Sequence, residues 1–180
     1  MLLIIDMIND LEFEDGEQML EPALEAAHSI SRFKKRLSEA SIPTIYVNDN
    51  FGKWRSDFRQ LVEHSLDKNV RGEKVAKILK PQDEDYFVIK VRHSGFYGTT
   101  LETLLRHLEA DTLILAGITA DICVQFTAQD AYMRRYNLIV PPDLVVCANE
   151  HNKQTALEQL RQTCKAKTPL STEINLEEFL

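Results

Sequence analysis

The stretch Thr112-Leu-Ile-Leu-Ala116-Gly117-Ile118-Thr119-Ala120-Asp121-Ile122-Cys123-Val124 decides how this chain reads. Residues 112–116 are a short continuous apolar run, the pattern of a strand buried on both faces. Gly117 ends that run, and a helical pattern begins at about Ala120. The Cys123 thiol is therefore expected in the first turn of a helix that follows a buried strand. Helix N-termini carry unpaired N–H groups and a partial positive charge, which favour thiolate over thiol. Cys123 is a candidate nucleophile on this reading. On the alternative reading it is a small buried hydrophobe, as most lone cysteines are.

Two segments further out share the pattern. The chain opens Leu2-Leu-Ile-Ile-Asp6-Met7-Ile8-Asn9-Asp10, an apolar strand ending in a carboxylate. Later comes Tyr86-Phe-Val-Ile-Lys90-Val-Arg92-His93-Ser94-Gly95-Phe96-Tyr97-Gly98-Thr99, an apolar strand ending in a lysine. An Asp, a Lys and a Cys thus each lie at or just past the C-terminal end of a predicted strand. Ligands of open α/β sheets bind at that edge.

The rest of the chain repeats the unit. Strands are predicted at 2–5, 44–48, 87–90, 112–116 and 138–140, with a sixth near 166–170. Helices are predicted over 21–40, with Pro22 near the start, and over 100–109, 121–134 and 149–164, with Asn149 as N-cap of the last. The alternation implies a parallel sheet with helices on both faces, in a single domain spanning 1–180. Residues 55–82 are the least regular and read as an insertion over the site, with a helix around 57–64 and another segment at 75–79.

Composition narrows the partners. Apolar residues are 44% of the chain, enough for a substantial core. The formal net charge of −7 argues against nucleic acid and anionic membrane. No apolar run approaches the ~20 residues of a membrane helix, and no secretory leader is expected. The three cysteines show no close metal spacing and read as reduced thiols of a cytoplasmic protein.

In their order along the chain, Asp6, Lys90 with Ser94-Gly95-Phe96 and Thr99 after it, and the run from Gly117 to Cys123 resemble the catalytic motifs of the isochorismatase-like cysteine hydrolases. That superfamily includes nicotinamidases, carbamoylsarcosine amidases and ureidoacrylate amidases. The resemblance extends from Leu2 to about Leu160. It implies a three-layer α/β/α sandwich whose mainly parallel six-stranded sheet has the order 3-2-1-4-5-6, which puts Asp6 and Cys123 side by side. If Lys90 ends the third strand, it starts ~10 Å from Asp6, two strand spacings away, so its arm and the chain after Val88 must curve back.

The resemblance also implies roles. Cys123 attacks a carbonyl carbon, with its pKa lowered toward neutrality. Asp6 takes the thiol proton, and Lys90 holds Asp6 and stabilises anionic states. A non-proline cis peptide falls at Ile118–Thr119 and turns the Thr119 N–H toward the same point as the Cys123 N–H, forming an oxyanion hole. The implied substrate is a small molecule, and the implied assembly is a homo-oligomer, a dimer or tetramer. Nicotinamidases carry a metal site after the second strand, with Asp followed two residues later by His. Here Asp49 is followed by Phe51, and the five histidines are scattered. No metal and no other cofactor are expected.

Phe13, Phe51, Trp54 and Phe96 follow strand ends and are candidate substrate contacts, as is Tyr97. Arg55, Arg92 and His93 are candidates for a substrate carboxylate or for the surface. Cys147 and Cys164 carry no functional signal in the sequence. Cleavage of a C–N bond in a small amide or ureido compound is the expected activity. Two rivals are vinyl-ether hydrolysis of the isochorismatase type, whose practitioners commonly lack the cysteine, and a non-catalytic binding protein on the same fold.

Overall fold

The computed structural model describes residues 1–50 and 57–179. Six strands form one sheet: β1 (Leu2–Ile5), β2 (Thr44–Asp49), β3 (Tyr86–Lys90), β4 (Thr112–Ile118), β5 (Asn137–Ile139) and β6 (Val145–Val146). The order is β3-β2-β1-β4-β5, every pair is parallel, and β6 pairs with β4. The expected strand at 166–170 contributes only an isolated bridge, Lys167 to Ile139. The sixth strand is instead the two residues beside Gly117 and Ile118, which extend the sheet past the end of the short β5.

Helices cover both faces, as the alternation predicts. Leu2 and Ile4 of β1 and Ile114, Ala116 and Ile118 of β4 face a core built with α1 (Gly16–Glu39). Leu3, Ile5, Leu113 and Leu115 face a second core with α4 (Leu101–His107), α5 (Gln125–Met133) and α6 (Glu150–Cys164). Successive strand residues alternate between two buried faces, so the central strands read as unbroken apolar runs. The outer strands do not: Tyr86 and Phe87 of the edge strand β3 are exposed, and Phe87 stacks on Phe58. Asn149 caps α6 by accepting from the Asn152 N–H at 2.9 Å.

Helix α1 begins five residues before the expected 21, which leaves Pro22 inside it. Met19 explains the extension. It is buried and continues the stripe of Ala23, Ala27, Ile30, Phe33 and Leu37 by one turn, and that packing outweighs the missing proline N–H. The irregular stretch holds α2 (Phe58–Ser65) and α3 (Glu73–Ile78). It joins the first core through Phe58, Leu61 and Val75. It is tied to the loop after β1 by Gly72 N–H to Asp10 O at 2.8 Å and by Arg71 to Leu11 O at 2.5 Å.

Gly117 sets how closely β4 approaches β1. Its φ is +128°, and a Cβ there would lie 2.0 Å from the Ile5 carbonyl oxygen. A Cβ therefore drives apart the two strands that carry Asp6 and Cys123. Gly98 is a useful contrast: its φ is +63°, but nothing lies within 4 Å. Gly98→Ala should cost ~1 kcal/mol, the penalty of a left-handed residue alone. Gly117→Ala should cost ~3 kcal/mol or more, because strain and a backbone clash combine. Denaturant melts of both variants check this, and equal losses would contradict it.

Candidate active site

Register places the site. Ile5 pairs with Val47 on one side and Gly117 on the other, so Asp6 emerges between the ends of β2 and β4. Its own φ is +54°, a region Asp tolerates better than most residues. The Asp6 N–H donates to Val47 O at 3.0 Å, and its Oδ1 accepts from the Asp49 N–H at 2.7 Å. The carboxylate is thereby fixed at the sheet edge.

Lys90 reaches this point from two strands away. Strand β3 stays in register through Lys90, which pairs with Asp49. The chain therefore does not need to curve back before the lysine, as expected above: the side chain itself crosses the end of β2. Its ammonium lies 2.8 Å from Asp6 Oδ2, 3.4 Å from Asp49 Oδ2, 3.2 Å from Arg92 O and 3.6 Å from Cys123 Sγ. The residue is 0% exposed. A buried ammonium is tolerated only with close anionic or dipolar partners, and here it has several.

Cys123 lies in a single π-helical turn, Ala120–Val124, which runs into α5. The turn is closed by the Val124 N–H bonding Thr119 O at 3.1 Å. The Ile118–Thr119 peptide is cis, as the resemblance implies. The thiol is half-buried, with the Lys90 ammonium 3.6 Å from its sulfur. Asp6, Lys90 and Cys123, far apart in sequence, thus form one cluster.

The electrostatics differ from expectation. Burial, then the Asp6 charge, push the Cys123 thiol up to about 12, and Lys90 offsets this only in part. One short helical turn and one shared cation do not overcome desolvation. Burial also raises the Asp6 pKa, opposed by Lys90. For Lys90, burial acts downward, but Asp6, Cys123 and Asp49 outweigh it and hold the ammonium charged. Burial thus works against the charged form of both Asp6 and Cys123, while Lys90 favours it in both.

Other anticipated residues divide. Phe13 is exposed on the loop after β1. Phe96 is buried in the second core, with the Arg134 guanidinium 4.8 Å above its ring and Tyr136 at 6.1 Å; its contacts are those of a packing residue. Tyr97, Arg92 and His93 are exposed, and the His93 ring lies 5.4 Å from Phe126. Phe51, Trp54 and Arg55 fall outside the described residues. Cys147 is closer to the site than its sequence position suggests: its thiol donates to Asp121 Oδ1, in the Cys123 turn, at 3.3 Å. Burial, then that Asp121 bond, push it up to about 12.

Asp49 has a part that sequence reasoning missed. Its amide holds Asp6 and its carboxylate holds Lys90. The strand-end rule that singled out Asp6 and Lys90 applies equally to Asp49, the last residue of β2. Its engagement with the ammonium also bears on a metal. Among the described residues no three His, Cys, Asp or Glu side chains gather as a metal ion requires, so the donors present do not fit one.

The chain matches the Isochorismatase domain model over residues 1–172. It is 36% identical to the uncharacterised isochorismatase family protein YaaI of Bacillus subtilis, over 96% of this chain and 94% of that one. Its structure resembles that of N-carbamoylsarcosine amidase from Thermoplasma acidophilum, with a TM-score of 0.73, 28% identity and 97% of each chain covered. It also resembles nicotinamidase from Bacillus subtilis, with a TM-score of 0.71 and 25% identity over 93% of this chain and 97% of the other. The motifs, the sheet order and these similarities agree: the chain belongs to the isochorismatase family of hydrolases.

Proposed function

We propose that the protein hydrolyses a C–N bond in a small amide or ureido compound through a thioester on Cys123. One observation carries this reading: a fully buried ammonium, Lys90, touches both the Asp6 carboxylate and the Cys123 sulfur. A binding protein gains nothing from that costly arrangement, and vinyl-ether hydrolysis has no use for the thiol. The similarity to amidase structures supports the same choice.

As Sγ bonds to the carbonyl carbon, its proton passes to the Asp6 carboxylate. The oxygen takes the negative charge and is stabilised by the Thr119 and Cys123 N–H groups. Asp6 then gives its proton to the nitrogen, the C–N bond breaks, and ammonia or an amine leaves. A water molecule, deprotonated by Asp6, attacks the thioester. The C–S bond breaks, the acid leaves, and the proton returns to sulfur. Lys90 stays charged throughout and stabilises the anion wherever it resides. Phe13 is a proposed substrate contact, and no metal takes part. The enzyme acts as a homo-oligomer in the cytoplasm; the three free thiols fit a reducing compartment.

Cys123→Ala should keep the fold and lower amidase activity by ~10³-fold or more, measured as ammonia release across a panel of amides and ureido acids. Cys164→Ala should change the rate little. Full activity in Cys123→Ala would return the vinyl-ether reading.

The proton inventory predicts the pH profile. Asp6 must be ionised to accept the thiol proton, and burial raises its pKa. The acid limb of kcat/KM should therefore lie above the ordinary carboxylate range of ~4. No second limb from Cys123 is expected below pH ~10, because the pair holds its last proton to about 12. Lys90→Met removes the cation that opposes the Asp6 shift, so the limb should move further up. Stability changes with it. A carboxyl whose folded pKa is raised favours folding below its unfolded pKa and loses that contribution as pH climbs through the folded value. Lys90→Met should therefore be nearly as stable as the parent near pH 4. It should lose ~3 kcal/mol by pH 8, where an unpaired carboxylate is buried. Parallel melts at the two pH values test this, and a pH-independent loss would contradict it.

Prolonged chelation should leave turnover unchanged, and elemental analysis should find no stoichiometric zinc, manganese or iron. Near-equimolar metal required for turnover would place ligands in the site that this reading lacks.

A further inference from the structure

The loop after Lys90 is held against the Cys123 turn by one hydroxyl. Residues 91–100 form no regular element. The Arg92 carbonyl accepts from the Lys90 ammonium at 3.2 Å, so the start of this loop is part of the cation's cage. Three residues on, the Gly95 N–H donates to Thr127 Oγ1 at 3.0 Å. The same hydroxyl donates to the Cys123 carbonyl oxygen at 2.7 Å. Thr127 is 0% exposed, on the first turns of α5. Gly95 fits there because it lacks a Cβ, which would lie 2.9 Å from Val47 Cγ1. A second tether runs alongside: Ser94 Oγ donates to Asp130, which Arg134 also holds at 3.2 Å.

A threonine that returns its hydroxyl to the carbonyl four residues back is ordinary in helices. Accepting an amide from another loop with the same oxygen is not explained by helix formation. It joins two chain segments separated by more than 30 residues, one bearing Lys90 and the other Cys123. The sheet register sets the spacing of Lys90 and Cys123 at the strand ends, and this bond ties together the loop and the turn that leave those ends. We propose that Thr127 is a positioning residue, whose hydroxyl, shared between the Cys123 carbonyl and the Gly95 amide, fixes the distance between the Cys123 sulfur and the Lys90 ammonium.

This inference rests on the proposed role of the Asp6–Lys90–Cys123 cluster, but its test does not need the substrate. Iodoacetamide labelling of the Cys123 peptide, followed by mass spectrometry against pH, reads the ammonium's influence on the sulfur directly. Thr127→Val keeps the shape and deletes the hydroxyl. It should slow labelling at pH 7 about tenfold or more and displace the profile to higher pH, because a displaced cation stabilises the thiolate less. Thr127→Ser should restore the parent profile. Thr163→Val, which deletes the equivalent bond from an exposed α6 threonine to Gln159 O, should change nothing. On a turned-over amide, Thr127→Val should lower kcat with KM little altered.

A folded Thr127→Val protein with the parent labelling profile would overturn the proposal, as would failure of Thr127→Ser to restore it. If Thr127→Val does not fold, Ser94→Ala loosens the clamp from the loop side. It should shift labelling in the same direction by a smaller factor, and an unchanged profile would be equally decisive against the idea. Should Cys123→Ala retain activity while Thr127→Val still shifts Cys123 labelling, the amidase reading fails and the positioning role stands.

Discussion

Everything at the sheet edge is organised around one buried cation. The Lys90 side chain is fully buried, so its charge must be met by protein. Asp6, Asp49, the Arg92 carbonyl and the Cys123 sulfur meet it from different elements. That requirement constrains the fold. The ends of β1, β2 and β3 must lie level, the loop after β3 must turn a carbonyl inward, and the turn after β4 must bring a polarisable sulfur within reach. Replace the cation and two carboxylates are left together in a poorly solvated corner.

The close approach of β1 and β4 is the second constraint, and it is steric. Gly117 lets β4, the strand that leads into the Cys123 turn, run against the Ile5 carbonyl with no Cβ between them. Asp6 follows Ile5 directly, so the same contact that closes the sheet sets the lateral distance from carboxylate to thiol turn. Packing and chemistry share these residues.

The proton balance qualifies the usual picture of an activated thiolate. A helix start favours thiolate, but here the turn is a single π-helical one, and desolvation together with the Asp6 charge dominates. The outcome is a neutral thiol beside a carboxyl group whose pKa burial also raises, with Lys90 opposing both shifts as the fixed charge between them. On the proposed reading, proton transfer and attack belong to one step.

The sequence alone determined the strand–helix alternation, the central strands and the placing of Asp6 and Lys90 at strand ends, with Cys123 just beyond a third, because buried parallel strands are unbroken apolar runs and the polar residue that follows each one is conspicuous. It also determined the N-cap at Asn149, but not the end of β4, which runs on through Gly117 to Ile118 because Ile5 and β6 pair with it there. The edges were less legible. The strand at 166–170 is a lone bridge and β6 is two residues long, since so few hydrogen bonds leave little periodicity to read. The start of α1 depended on Met19 finding a core that no local pattern announces. Only the tertiary structure decided that Lys90 spans two strands to Asp6, that Asp49 shares the cation, that Thr127 joins two loops, that Cys147 touches the Cys123 turn, and that Phe96 is packed inside. Each of these is a contact between distant segments, and its existence turns on burial and on distances of a few ångströms, which composition and spacing along a chain do not carry.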